Sequence, residues 1–341
     1  MKYTDAGVDI QKAERAMSAI KSMVKSTFSH RVKADFGNFG GLFSIAGLNM
    51  KEPLLVSSID GVGTKIRIAI EMEKFSYPGR DIVNHCVDDI LVQGARPLFF
   101  MDYYATGVLN EEALIGVVEG LTSACKENKC ALLGGETAEM PGIYHQNDFD
   151  LAGCIVGVVD KSKLIDGSKI TAGDTVLGLA SSGLHTNGFS MVRKTLLEAG
   201  MNLNETPPGF NTTLGEALVE PHKSYLAGIL PLVEDELIHG LAHITGGGFE
   251  GNIPRILPEG ISIKLDRNAW DVPPVFKLIQ EKGNVETDEM YRTFNMGIGM
   301  VVIVPTDMAA NISSRLTNAG EKVSLIGEAI HTDGKSSVVF E

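Results

Sequence analysis

The stretch Ser57–Lys65, SSIDGVGTK, sets a carboxylate, two glycines one residue apart, a threonine and a lysine just after the apolar run Leu54–Val56. Asp-Gly alone is ordinary turn chemistry, with glycine supplying a positive φ. The same residues also suit a carboxylate offered to a metal while bare backbone approaches a phosphate. Asp60 is not isolated: Asp89 lies in HCVDDIL and Glu136 in LLGGETAEMPG, each at a loop edge or helix face near glycine clusters. Singly, such carboxylates are ordinarily solvated groups, and Asp88-Asp89 reads first as a solvated pair. Together they are hard oxygen ligands of the kind that hold magnesium with nucleotide phosphates. His185, in SSGLHTNG, sits between two glycines in a loop that opens a helix. A lone histidine is more often packed than catalytic, but anions bind well at such a loop.

Two motifs invite over-reading. DGVGTK is not a P-loop, because that motif needs Gly-Lys and the order here is Gly63-Thr64-Lys65. GGGFEG, Gly246–Gly251, formally matches GxGxxG, but Pro254 and Pro258 leave room for barely one helical turn. A dinucleotide fold needs a full helix there, so the nicotinamide reading is rejected. Three consecutive glycines instead suit close backbone approach to an anion.

The positioning elements follow from periodicity. Residues 9–24 predict an amphipathic helix with Ile10, Ala13, Met17, Ile20 and Val24 on one side. Strands are expected at 52–59, 97–102, 130–133 and 151–159, and helices at 81–95 and 111–128. In the first of these helices Val83, Cys86, Val87, Ile90 and Leu91 form the apolar arc, with Asp81, His85 and Asp88 opposite and Asp89 at its edge. Residues 160–172 turn polar and mark a boundary, taken as 1–165 and 166–341. The second half predicts strands at 175–180, 261–266 and 296–304 and helices at 189–199, 274–282 and 307–319. Alternating strands and helices indicate an α/β or α+β enzyme of two domains.

Composition narrows the class. A chain of 341 residues suits roughly two domains of about 150 residues. Hydrophobic residues at 44% and charged residues at 21% describe a globular chain. No apolar run nears the ~18 residues of a membrane span, and MKYTDAGVDI lacks a signal-peptide core, so a cytosolic protein is expected. Cys86, Cys125, Cys130 and Cys154 form no CxxC pair and read as buried thiols. The net charge of −13 argues against nucleic acid as a partner. An anionic ligand would need local devices: backbone amides, a few placed cations and a bridging divalent ion. The 38 glycines cluster as DFGNFGG, DGVG, LLGGE, SSGLHTNG and ITGGGFEG, loops that could present backbone to one ligand.

YTDAGVDI, DFGNFGGLF, SSIDGVGTK, HCVDDILVQGARPLFFMDYYATG, GGETAEMPGIY, SSGLHTNGFSMVRK, HITGGGFEGNIPR and EMYRTFNMGIGM occur in that order. From about Tyr3 to the C-terminus this chain resembles the aminoimidazole ribonucleotide synthetase family, the phosphoribosylformylglycinamidine cyclo-ligases. One departure is Asp88, where many relatives carry asparagine, so Asp89 is the carboxylate to carry over. The resemblance implies an N-terminal α/β domain, an α+β C-terminal domain and a homodimer with N-terminal strands at its interface. It implies the conversion of formylglycinamidine ribonucleotide and ATP into aminoimidazole ribonucleotide, ADP and phosphate. On that footing Asp60, Asp89 and Glu136 are expected to bind Mg²⁺, and Lys65 to steady the phosphates of ATP. Gly61, Gly63 and Thr64 belong to the same cradle, with Lys33 and DFGNFGG as a lid. Ser182, Gly183, His185, Asn187 and Gly246, Gly247 and Gly248 are expected at substrate or phosphate, with His185 as an acid–base group. Rival readings are the synthetase domain of formylglycinamide ribonucleotide amidotransferase, thiamine-phosphate kinase, selenophosphate synthetase and a catalytically silent nucleotide-binding scaffold.

Overall fold

The computed structural model describes residues 10–146 and 148–341, with side chains from Arg15 onward at the N-terminal end. Asp9 and the side chains of Ile10 and Ala13, part of the expected first helix face, lie outside the described residues. The chain divides into two compact units, one running up to Ile90 and over Arg96–Val158, the other comprising Leu91–Ala95 and Val159–Glu341.

In the first unit the elements are α1 (Ile10–Lys25), β1 (Pro53–Gly61), α2 (Lys65–Glu71), α3 (Ser76–Leu91), β2 (Arg96–Thr106), α4 (Glu111–Glu127), β3 (Ala131–Glu139) and β4 (Phe149–Asp160). The strands form one sheet in the order β1-β4-β2-β3, with β2 antiparallel to β4 and parallel to β3. Along β1 the even-numbered residues are half-buried and the odd ones exposed, the period of two of a strand covered on one face. Phe100 and Tyr104 of β2 are buried toward the helices, whereas Met101 and Tyr103 stay open on the outer face. Asn110 caps α4 by accepting from the Glu112 and Ala113 N–H groups.

The second unit contains β5 (Thr175–Ala180), α5 (Phe189–Val192), α6 (Leu214–Val219), α7 (Leu226–Glu234), β6 (Gly240–His243), α8 (Gly248–Asn252), β7 (Ile261–Leu265), α9 (Pro274–Gly283), α10 (Thr287–Thr293), β8 (Ile298–Val304), α11 (Ala309–Asn318), β9 (Val323–His331) and β10 (Val338–Phe340). Its sheet runs β10-β7-β9-β5-β8-β6, mostly antiparallel. Every residue of β8, IGMVVIV, is buried, as its unbroken apolar run requires. The helix expected at 189–199 breaks after four residues into a π turn at Arg193–Leu197. The helix starts inside GGGFEG, at Gly248, and lasts five residues before a 3-10 turn containing Pro254, so no long helix follows the glycines. Among the described residues no helix is long and apolar enough to cross a membrane.

One expectation is overturned inside the first unit. The polar arc of α3 is not solvated: Asp81, Asn84, His85 and Asp88 are all buried, as is the apolar arc. Asn84 accepts a 2.8 Å hydrogen bond from Asn128, and Asp81 receives the Lys65 ammonium at 2.8 Å. Ile66–Ile70, an apolar run in sequence, is the short helix α2, which carries Lys65 inward. Lys65→Met would leave the Asp81 carboxylate buried without its ammonium, an expected loss of about 3–5 kcal/mol. A urea midpoint unchanged from the parent protein would show that this pair does not neutralise α3.

Candidate active site

Asp60 is the penultimate residue of β1, on the face turned toward α3, where His85 and Asp89 lie one helical turn apart. His85 Nε2 is 3.1 Å from Asp60 Oδ2 and 3.6 Å from Asp89 Oδ2. Ser58 donates to Asp89 at 3.0 Å, and the Gly61 N–H donates to the other Asp60 oxygen at 3.1 Å. One ligand atom of each of Asp60, His85 and Asp89 falls within 4.8 Å of the others. Burial by itself would lower the His85 pKa, but the hydrogen bond to Asp60 and the charges of Asp89, Asp60 and Asp81 outweigh it and raise it. The same hydrogen bond is the main cause that lowers Asp60, against its partial burial. Two converging carboxylates, one still 43% exposed, fit a hard divalent ion that keeps part of its water shell.

Glu136 does not join them. It pairs in register with Tyr103, on the outer face of the sheet, whereas Asp60 is on the helix face. Its strand is also at the opposite edge, three strand spacings away, on the order of 14 Å. The sequence put Glu136 just after a strand ending at Leu133, whereas β3 runs on to Glu139 and carries it in mid-strand; face and strand order were not legible either. Lys65 is likewise displaced from its expected role, since its ammonium is buried against Asp81 rather than presented to a phosphate. Gly63 adopts φ +73°, a conformation glycine supplies cheaply, and Thr64 starts α2. Gly61 has neither a positive φ nor a close neighbour, since a Cβ there would meet only the Leu151 carbonyl at 3.8 Å. Lys33 is exposed and its N–H bonds Leu42 O, closing the neck of the DFGNFGG loop.

In the second unit the structure brings two expected loops together. Asn187 lies beside Gly246, whose Cβ position would be 3.2 Å from the Asn187 amide oxygen. Asn252 donates to Gly248 O at 2.8 Å and to Gly246 O at 3.3 Å, stapling the glycine loop. Gly247 (φ +93°) and Gly248 (φ +57°) need their left-handed backbone, and a Cβ on Gly248 would come 1.9 Å from Tyr291 O. Ser181 and Asn295 both donate to Gly183 O, and Ser182 Oγ donates to Pro221 O. His185 is a correction: its ring is 1% exposed, with Nε2 accepting from the Ser182 N–H at 3.3 Å. It braces its own loop instead of facing solvent where a substrate would arrive.

Sequence reasoning passed over two groups that the structure brings forward. His85 sat in view, four residues before Asp89, the spacing that stacks side chains on a helix. Asp102 alternates with buried Phe100 and Tyr104, which places it on the helix face of β2. It lines a cavity of about 370 Å³ walled by Met17, Ile20, Val24, Leu114 and Val118 and edged by Phe36 of the DFGNFGG loop. Burial pushes the Asp102 carboxyl up to about 7. The unfolded chain ionises it near 3.8, so between about pH 4 and 7 the unfolded state binds fewer protons. Stability is therefore expected to fall as pH rises through that window and to level off above it. Asp102→Asn should flatten this slope and gain on the order of 3–4 kcal/mol relative to the parent at pH 8. Parallel stability–pH curves for the two proteins would refute the assignment.

Family models for AIR synthase related proteins match the chain twice, the N-terminal domain over residues 46–159 and the C-terminal domain over 171–340. The phosphoribosylformylglycinamidine cyclo-ligase of Alkaliphilus oremlandii is 48% identical over 339 residues, covering 99% of each chain. Among solved structures, thiamine-monophosphate kinase from Stenotrophomonas maltophilia superposes with TM-score 0.70 at 14% identity, over 96% of each chain. The hydrogenase maturation protein HypE in complex with ATP superposes with TM-score 0.65 at 16% identity, covering 99% of this chain and 93% of that one. These distant structures share the fold, while the near-full-length identity decides the family. The chain belongs to the phosphoribosylformylglycinamidine cyclo-ligases of the AIR synthase related family.

Proposed function

We propose that this protein catalyses the ATP-dependent ring closure of formylglycinamidine ribonucleotide to 5-aminoimidazole ribonucleotide, with release of ADP and phosphate. The observation that carries this reading is 48% identity to a cyclo-ligase along essentially the whole chain. The formyl oxygen of the substrate is a poor leaving group. Transfer of the γ-phosphoryl of ATP to that oxygen makes it a good one, and the substrate's own nitrogen then displaces phosphate and closes the ring. Such a transfer asks the protein for positioning and charge neutralisation more than for a nucleophile.

In the first unit, Asp60 and Asp89 would hold Mg²⁺, with His85 between them as the group that orients both carboxylates. Bound there, the ion would neutralise phosphate charge during transfer. Gly61, with neither a strained φ nor a crowding neighbour, leaves its Cα face open to phosphate oxygens. Lys65 would act at one remove, holding α2 and α3 in place through Asp81. The apolar cavity beside Asp102 suits a nucleoside base, with Phe36 at its mouth and fully exposed Phe39 as the free part of a lid near Lys33. In the second unit, Ser182, Gly183 and Asn187, beside Gly246–Gly248, are assigned to substrate or phosphate, held in shape by Asn252, Asn295 and His185. A cytosolic location belongs to the same reading.

The outer face of the first sheet supports self-association. Leu55 and Ile59 of β1 are 64% and 73% exposed, and Met101 and Tyr103 of β2, across the intervening β4, are open on the outward face. Exposed apolar side chains gathered on one sheet face are ordinarily covered in the working protein. Sedimentation velocity is expected to find a dimer that Leu55→Asp converts toward monomer; a parent protein that sediments as a monomer would remove this part.

The reaction is tested by substrate-dependent ADP release with formylglycinamidine ribonucleotide, run beside its amide precursor plus ammonia. Turnover is expected only with the former. Asp89→Asn should lower it by roughly 10²-fold at limiting Mg²⁺, the scale of a lost electrostatic contact in phosphoryl transfer. Full turnover by that variant would overturn the metal role while leaving the reaction intact. ATP binding without substrate-dependent ADP release would favour the silent scaffold.

A further inference from the structure

The second unit holds a cluster of three buried histidines drawn from three separate segments. His185 lies in the Ser181–Gly188 loop, His222 in the segment after α6, and His243 ends β6. All three are buried, at 1%, 1% and 5% exposure. The His185 and His222 rings stack with centroids 3.9 Å apart, and His243 meets His222 edge-on at 5.0 Å. One ring nitrogen from each lies within 4.8 Å of one from each of the others.

We propose that His185, His222 and His243 form a binding site for a borderline divalent transition metal ion, of the zinc and cobalt class. The donor set is the first reason. The cluster brings together three imidazoles, donors that suit zinc, cobalt, nickel or copper better than magnesium. Spacing is the second. Two imidazole nitrogens on one tetrahedral zinc ion, each at about 2.0–2.1 Å, stand about 3.3 Å apart. The Nε2 atoms of His222 and His243 are already 3.1 Å apart. In that contact one nitrogen must carry a proton for the other to accept it; on loading, that N–H bond gives way to a metal–nitrogen bond, the rings turn so that both lone pairs meet the ion to one side of the N···N line, and the proton leaves to solvent. Anchorage is the third. His243 is fixed by the β6–β8 ladder, where it pairs with Met300. His185 is held in the left-handed region at φ +59°, an uncommon backbone for a residue other than glycine. A Cβ on Gly299 would come within 2.5 Å of its ring, so that glycine makes the room.

This site is separate from the Asp60–His85–Asp89 group, which lies in the first unit and supplies hard oxygens. It also does not depend on the cyclo-ligase assignment, because its readout is metal binding rather than turnover. A loaded ion would tie the 181–188 loop, the His222 segment and β6 into one node.

The test is titration of the untagged full-length protein with Co²⁺ alone, followed by visible ligand-field absorption, and with Zn²⁺ alone, followed by thermal melting. One equivalent of Co²⁺ with the strong absorption of low-coordinate geometry is expected, together with a higher melting temperature in Zn²⁺. Both should weaken at least about tenfold in apparent affinity in His222→Ala and in His243→Gln, and persist in Asp89→Asn. Equal Co²⁺ uptake by the parent and His222→Ala, or loss of the signal in Asp89→Asn, would overturn the proposal. If the histidine variants fail to fold, X-ray absorption on the zinc-loaded parent decides. Three imidazole ligands uphold the site, and one or none refutes it.

Discussion

Charge taken out of water on α3 has to be matched on the spot, and the first unit is arranged around that requirement. Asp81 is wholly buried and takes the Lys65 ammonium, which α2 carries inward immediately after the glycine turn. One turn further along, His85 stands between Asp60 and Asp89. The helix thus offers one carboxylate to a buried lysine and another toward His85 and the edge strand. In the function proposed here, a chain with net charge −13 would approach a polyphosphate only with acidic groups such as Asp81 neutralised inside and Asp60 and Asp89 gathered around one divalent ion.

Backbone carries much of the remaining work. In the second unit, Asn252 reaches back over its own short helix to the carbonyls of Gly246 and Gly248, while Gly248 presses against the Tyr291 carbonyl at a distance no side chain would permit. Asn295 does the same for Gly183. The glycine loops are therefore held by amide side chains rather than left slack, which lets bare peptide groups present a fixed surface without a basic patch.

Much of this was legible from residue order. The strands 175–180 and 296–304 and the helices at 111–128 and 274–282 follow from apolar periodicity and lie within a few residues of where the structure puts them. Long, strongly patterned segments declare themselves because burial of one face dominates their energetics. Short elements such as α2, α6, α8 and β6 carry too few residues to show a period, and α3 misled because polar residues on an amphipathic helix ordinarily face water.

By itself the sequence determined the family and the two-part α/β and α+β architecture, and it put forward Asp60, Asp89 and the glycine loops as candidates, since these rest on motifs and local backbone preference. Tertiary structure alone decided which side chains meet. It sent Glu136 to the far edge and outer face of the sheet, turned Lys65 inward to Asp81, and gathered His185, His222 and His243 from three separate segments. Strand order, pleat direction and helix docking set those meetings, and none of them is written in the spacing of residues along the chain.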